Sequence, residues 1–321
     1  MTNIQTIKDD EQGIRLDRWF KRYYPGFPHA LLEKNLRKGM IRLDGKKAKS
    51  SDRLEPGQQL DIRCEVDGIK NDKPVAVKYD ASLDDIRMIQ DAVIYKDTNV
   101  IVINKPYGLA VQGGSKVTKS VDDLLDGLMF DSAVRPKLTH RLDRDTSGVL
   151  VLARSSQAAA QLAKAFAGKT MEKFYWALVN GCPIQLRGTI DLPLMKAARD
   201  GESQELVGVD EEEGKFAKTE YRVIDQLARK FALMELKPLT GRTHQLRVHM
   251  QAIGHPIIGD HKYGGSNIDA KSIGVENVLH LHARRIVIPA MPGIKAIDVS
   301  APLPKHMEKS FRALGLDVPK K

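Results

Sequence analysis

Residues 140–153, HRLDRDTSGVLVLA, place two aspartates, Asp143 and Asp145, among His140, Arg141 and Arg144, directly before an apolar run. The run is short and rich in Val and Leu, which reads as a buried strand. SSQAAAQLAKAFAGK after it reads as a helix with Ser155 or Ser156 as N-cap and Gly168 at its end. Carboxylates at a strand entrance are either solvated loop ends or parts of a site, and what converges there decides which. Upstream, DAVIYKDTNVIVINKP gives two short strands around a turn at Asp97 to Asn99. Downstream, KFYWALVNG, AKTEYRVIDQL and KFALMELKPL are strand-like. TGRTHQLRVHMQAIG then carries Leu246, Met250 and Ile253 on one face of a helix that Thr243 can cap and Gly254 ends. Residues 91–321 are therefore expected to form an α+β domain around a mixed, largely antiparallel sheet.

The chain has 321 residues, 42% of them apolar, enough for two domains and a sizeable core. The N-terminus has neither a basic start nor an apolar stretch, and nothing later approaches the roughly 18 consecutive apolar residues of a membrane span. A cytoplasmic, monomeric protein with no membrane partner is expected. Cys64 and Cys182 lie far apart without C-x-x-C spacing, which argues against a thiolate metal site and a disulfide framework. The net charge of +10 points to a polyanion. Residues 13–63 concentrate it, with thirteen Lys and Arg against six Asp and Glu. There RLDRWFKRYY sets Leu16, Trp19, Phe20 and Tyr23 at helical spacing, and PHALLEKNLRKGMI repeats the pattern with a stop at Gly39. A turn at Asp44-Gly45 and another at Pro56-Gly57 complete an order of helix, helix, hairpin, strand in residues 13–65. Residues 1–12 read as a tail, and residues 66–90, which mix Gly, Pro and charge, as a linker.

Asp143 admits several readings. An isolated aspartate beside arginine commonly caps or solvates a loop. A phosphotransferase D-x-D normally follows its strand, whereas here the strand follows the aspartates. His244, His249 and His255 are spaced by five and six residues and do not stack on one helical face as metal ligands at i and i+4 would. A third reading makes Asp143 a lone carboxylate kept ionised by a cation from elsewhere in the chain. Arg247 is the natural partner, although spacing alone does not pair them.

Three features of the first region resemble the small RNA-binding domain of ribosomal-protein-S-four type: its G-x-x-L-D-x-W opening, the LRKGMIRLDGKKAK turn and the LEPGQQLDI close. His29 and Asp44 stand where serine and asparagine are common. The resemblance implies RNA contacts from Arg15, Arg18, Lys34, Arg37, Lys38, Lys46 and Lys47. In the second region HRLDRDTSG, GRTHQLRVH and GHPIIGDHKYG, with INKPYGLAVQGGS and KFYWALVNG, resemble the signature segments of the RluA-type pseudouridine synthases over residues 91–290. With the N-terminal domain attached, the whole chain resembles the RluC branch, which acts on large-subunit ribosomal RNA. Tyr107, Gln112 and Leu246 depart from the family pattern.

The resemblance implies isomerisation of uridine to pseudouridine in 23S ribosomal RNA or a precursor particle, without cofactor or metal, on a flipped-out base. It implies Asp143 as the catalytic carboxylate and Arg247 as its charge-assisted partner. Tyr175 would lie over the uracil and serve as the base at carbon 5, with Leu246 as apolar wall. Arg141 would enter the vacated stack, His140 would support the loop, and Lys105, Arg144 and Arg242 would contact phosphates. Asp145 is expected only to orient the turn. A non-catalytic RNA-binding or ribosome-assembly factor, or a synthase acting on another RNA such as tRNA, are the alternatives.

Overall fold

The computed structural model describes residues 3–66, 79–113, 117–168, 170–197, 206–265 and 274–319. The chain divides into two compact units, residues 1–78 and 79–321. Residues 67–78 of the expected linker, and Gly114 and Ser115 of the INKPYGLAVQGGS segment, lie outside the described residues. No helix among the described residues is long and apolar enough to cross a membrane.

In the first unit, β1 (Asn3–Thr6), α1 (Leu16–Tyr23), α2 (His29–Lys38), β2 (Ile41–Leu43), β3 (Lys46–Lys47) and β4 (Gln59–Ile62) follow in order. The sheet order is β1-β4-β2-β3. Leu16, Trp19 and Phe20 of α1 and Leu32 and Leu36 of α2 are buried against Ile41, Leu60 and Ile62. Gly39 ends α2 in the left-handed conformation, and Asp44-Gly45 turn the β2–β3 hairpin with positive φ at both residues. The expectation of a tail over residues 1–12 is corrected. Asn3–Thr6 pair with β4, and Glu11 is 1% exposed, accepting hydrogen bonds from Trp19 Nε1 at 3.0 Å and from Tyr23 Oη. A buried carboxylate needs such donors, and α1 supplies two.

The second unit opens with α3 (Leu83–Asp91), β5 (Val93–Lys96), β6 (Val100–Lys105), α4 (Val121–Leu124), β7 (Lys137–Leu138) and β8 (Ser147–Ala153). Then come α5 (Ser156–Ala167), β9 (Glu172–Asn180), β10 (Arg187–Asp191), β11 (Leu194–Ala197), β12 (Leu206–Val209), β13 (Lys218–Leu227) and β14 (Phe231–Pro238). It closes with α6 (Gln245–Ala252), β15 (Leu281–Ile288), β16 (Ile297–Ser300) and α7 (Lys305–Ala313). All of helix α3 but Asp91 lies inside the span expected as linker, so that expectation is corrected. Ser82 Oγ accepts from the Asp85 amide while Asp85 accepts from the Ser82 amide, which starts a helix whose Ile89 is fully buried.

The main sheet runs β10-β13-β14-β9-β15-β8-β6-β5. Its pairs are antiparallel except β8 with β15, where Ser147 lies beside His282 and Gly148 beside Ala283. Gly148, at φ +108°, is needed there, because a Cβ would sit 2.2 Å from the Ala283 carbonyl oxygen. Every residue of β8 is buried, as its apolar run predicts, and α5 begins at the cap Ser155, whose side chain accepts from the Ala158 amide. Helix α6 is buried from Gln245 to Met250, on more than the one apolar face.

Two core histidines make stability depend on pH. His280 Nδ1–H donates to the Val278 carbonyl while Nε2 pairs with Ser310 Oγ, and His282 Nδ1 pairs with Ser147 Oγ. Burial pulls His280 down to about 4 and His282 to about 3. A base whose folded pKa is depressed binds fewer protons folded than unfolded, so its neutral form stabilises the fold fully above about 6.5, and that stability is lost as pH falls towards 4. A loss of about 2 kcal/mol per histidine at pH 5 is expected. His280→Gln should flatten the fall of the thermal midpoint between pH 7 and 4; an unchanged slope would refute the assignment.

Candidate active site

Residues 139–146 enter β8 as a loop pinned from both sides. His140 Nε2 accepts from the Val151 amide at 2.9 Å and its ring packs on Phe166, while burial pulls its pKa to about 3, so it is a neutral acceptor. Asp143 to Thr146 form a turn closed by Thr146 N–H to the Asp143 carbonyl at 3.1 Å. The carbonyl of Arg144 in that turn receives Lys105 Nζ at 3.0 Å, and the same ammonium donates to Pro106 O and Leu109 O at 2.9 and 2.7 Å.

Lys105 is fully buried, and burial lowers its pKa to about 7 against the pull of Asp145 and Asp143. With three donors and three carbonyl acceptors it is saturated. The expected phosphate contact is therefore corrected: Lys105 ties the turn that carries Asp143 to the loop after β6.

The turn opens onto a cleft of about 570 Å³ whose walls come from the 140–146 loop, Tyr175 on β9, the 239–244 loop after β14 and the start of α6. That volume falls in the range of small-ligand clefts. Tyr175 pairs with Leu236 of β14 and Ala283 of β15 and packs against both large cores of the unit. Burial and the neighbouring Asp143 push its hydroxyl well above the usual range, which opposes the expected role as base at carbon 5. Arg141, Arg242, Leu246 and Arg247 also line the cleft. Arg141 and Arg242 are exposed, and Arg242 Nε donates to the Phe216 carbonyl. Exposed Arg144 donates from Nε to the Gly108 carbonyl outside this wall.

The expected partnership of Arg247 with Asp143 is present in weakened form. Arg247 approaches Asp143 Oδ2 at 3.7 Å, whereas Nε and its second terminal nitrogen bond Asp260 in a fork at 2.8 and 2.7 Å. Asp260, 1% exposed, also accepts the amides of Lys262 and Tyr263 at 3.0 and 3.1 Å. His244 Nε2 lies 3.8 Å from Asp143 Oδ2, and its Nδ1 is 2.7 Å from Tyr263 Oη. Asp260, His244 and Tyr263 were not singled out from the sequence for these contacts. The one local signal is that an arginine on a helix with a buried apolar face demands a carboxylate, and GHPIIGD supplies one.

Gln245 is a further missed residue. Buried, it accepts from Thr240 Oγ1 and the Arg242 amide and donates to Lys218 O and Thr219 Oγ1, holding the 240–242 loop against the sheet. Thr243 does not cap α6; His244 occupies that position at φ +53° without a side-chain cap.

His249 pairs with Thr219 Oγ1 and Leu192 O, and His255 with Asn180 O. Among the described residues no group of three His, Cys, Asp or Glu side chains could hold a metal ion. In the first unit Arg18, Lys34, Arg37, Lys38, Lys46 and Lys47 are exposed, while Arg15 is half-buried and bonds Asp17 at 2.6 Å.

The chain that builds this cleft has clear relatives among known proteins. The family described as RNA pseudouridylate synthase matches residues 99–252. RNA pseudouridine synthase 4, mitochondrial, of Arabidopsis thaliana is 34% identical across 97% of this chain and 81% of that protein. Ribosomal large subunit pseudouridine synthase C of Rickettsia bellii is 36% identical across 92% of this chain and 96% of its own length. Its Vibrio cholerae counterpart is 33% identical across 97% and 96%. The solved structure of human RNA Pseudouridylate Synthase Domain Containing 4 is similar at a TM-score of 0.63 and 32% identity, covering 73% of this chain and 97% of that one. The chain belongs to the RNA pseudouridylate synthase family, in its RluA-type branch, and is a pseudouridine synthase.

Proposed function

We propose that this enzyme isomerises particular uridines of large-subunit (23S) ribosomal RNA to pseudouridine, with Asp143 acting on a uridine flipped into the cleft. The observation that carries the reading is Asp143 itself: a carboxylate a quarter exposed, facing a cleft walled by Tyr175, Leu246 and Arg247. Relatives named for the ribosomal large subunit align with both units of the chain, which supports that RNA as substrate.

In the reaction the bond from sugar carbon 1′ to base nitrogen 1 breaks, the base turns, and carbon 1′ joins carbon 5. The proton of carbon 5 leaves and nitrogen 1 gains one, so no atoms are exchanged overall and no redox partner is required. Asp143 acts at the sugar as the base departs, held in place by its turn and by Arg247. Tyr175 and Leu246 give the uracil an apolar, stacking surface. Flipping costs roughly a few kcal/mol, and exposed Arg141 at the rim fills the vacated space. Arg144 and Arg242 meet phosphates, as do the exposed cations of the first unit, which we read as an RNA-binding domain of the S-four type. A second cleft of about 370 Å³ shares Phe166, Lys173, Pro238 and Leu239 with the first and adds Met171, Glu172, Phe216, Lys218 and Lys237; Lys237 pairs with Glu172 at 2.5 Å, and the aromatic rings suit flanking bases.

The test is pseudouridine mapping of large-subunit ribosomal RNA from cells lacking the protein, beside cells rescued with wild type or with Asp143→Asn. Sites that vanish and return only with wild type establish the reading; an unchanged map removes this substrate.

A further inference from the structure

A chain of three hydrogen-bonding groups fixes which nitrogen of His244 carries its proton. The amide of Val207, on β12, donates to Tyr263 Oη at 3.2 Å, and Tyr263 Oη lies 2.7 Å from His244 Nδ1. The phenol has one proton to give. Burial pushes Tyr263 above its ordinary pKa, so the proton stays on the oxygen. Among the described residues His244 Nδ1 is the one acceptor within reach of that proton, so the hydroxyl donates to it while accepting from the Val207 amide. A neutral imidazole that accepts at Nδ1 carries its own hydrogen on Nε2. Burial lowers the pKa of His244, as do the charges of Arg247 and Lys262, against Asp143 and Asp260. An imidazolium would also need a hydrogen on Nδ1, where Tyr263 already donates.

The Nε2–H faces the cleft 3.8 Å from Asp143 Oδ2, beyond direct hydrogen-bonding distance. That position matters for the chemistry, and the inference rests on the function proposed above. When the bond from carbon 1′ to nitrogen 1 breaks, its electron pair stays on the uracil and spreads over nitrogen 1 and the two carbonyl oxygens. Asp143 opposes that charge, and Arg247 is committed to Asp260 by two bonds. We propose that His244, held as the Nε2–H form by Tyr263, is a catalytic residue that donates a hydrogen bond to a uracil carbonyl oxygen as the base departs. No proton is transferred to or from the imidazole; the hydrogen bond strengthens as the oxygen gains charge. The left-handed φ of +53° at His244 belongs to the same arrangement, being an uncommon conformation for a residue with a side chain.

Two measurements test this on the full-length protein. In nitrogen-15 histidine NMR of the wild type, with His244 assigned by its absence from His244→Gln, Nδ1 is expected unprotonated and Nε2 protonated at neutral pH. Tyr263→Phe should convert it to a mixture of forms. The opposite tautomer in wild type would overturn the proposal whatever the activity. In single-turnover assays on uridine-containing RNA, His244→Leu is expected to lose about 10²- to 10³-fold in rate with RNA affinity within threefold. His244→Gln, whose amide N–H reaches a similar point, should recover at least tenfold of that loss. Equal rates for Leu and Gln, or a wild-type rate for Leu, would overturn it while the proposed function stands. A wild type inactive on every uridine RNA would instead overturn the proposed function, and this inference with it.

Discussion

Asp143→Asn is expected to reduce turnover by at least about 10⁴-fold while RNA affinity stays the same or tightens slightly. The two side chains have nearly the same size, and the turn's carbonyls are held by the Thr146 amide and the Lys105 ammonium, so the loop keeps its shape. What disappears is the negative charge and the lone pairs that are proposed to act at the sugar. A carboxylate in a cleft that receives a polyanion repels it, so removing the charge cannot weaken binding through that route. Asp145→Asn is the control. Asp145 lies in the same turn but does not line the cleft, and its electrostatic neighbours are Lys105 and Tyr107. Its turnover should remain within about tenfold of wild type, since this half-buried turn carboxylate lies outside the cleft and acts on the site only through its neighbours. Single-turnover rates and filter binding for the two variants separate the outcomes; comparable activity of Asp143→Asn and wild type would end the assignment of Asp143.

The second large effect is thermodynamic. Asp260→Ala would leave the Arg247 guanidinium, itself 8% exposed, without the fork that neutralises it. Removing one partner of a buried pair costs about 3–5 kcal/mol, because the remaining charge is stranded away from water. For a unit of this size that corresponds to a fall of about 10 °C in the thermal midpoint. Adding Arg247→Met should restore part of the loss, since an apolar side chain of similar volume needs no partner there. Calorimetry of the two single variants and the double variant decides it. A double variant as unstable as the sum of the singles would mean the pair is not coupled.

The sequence makes some of this legible and hides the rest for physical reasons. Strand β8, helix α5 and its cap at Ser155 follow from local periodicity and capping chemistry, so they are found where HRLDRDTSGVLVLA and its sequel put them. Lys105 misleads because β6 is buried on both faces from Val100 to Ile103, and a strand without alternation does not say which way its last residue points. Helix α3 hides because its capping box uses Asp85 in place of Glu or Gln, in a stretch full of charge. Strand β1 is four residues long at the edge of its sheet, with Ile4 58% exposed, too little pattern to separate from a tail. Arg247 is read from the sequence as the cation beside Asp143, and it approaches that carboxylate at 3.7 Å. Its tight partner depends on the backbone turn that presents the Lys262 and Tyr263 amides to Asp260, and helical spacing carries no information about that turn.

The parallel junction of β8 with β15 bears on when the cleft can exist. Ser147 and His282, which face each other there, are 135 residues apart in the chain. Closing a loop of that length costs chain entropy before any contact offsets it, and pairings so distant in sequence slow folding. The turn bearing Asp143 leads into the strand that begins at this junction, and Leu281, which begins the other strand, lines the cleft. A nascent chain that has not yet delivered β15 therefore lacks a finished pocket. The enzyme would thus stay inert until residues 281–288 have been synthesised.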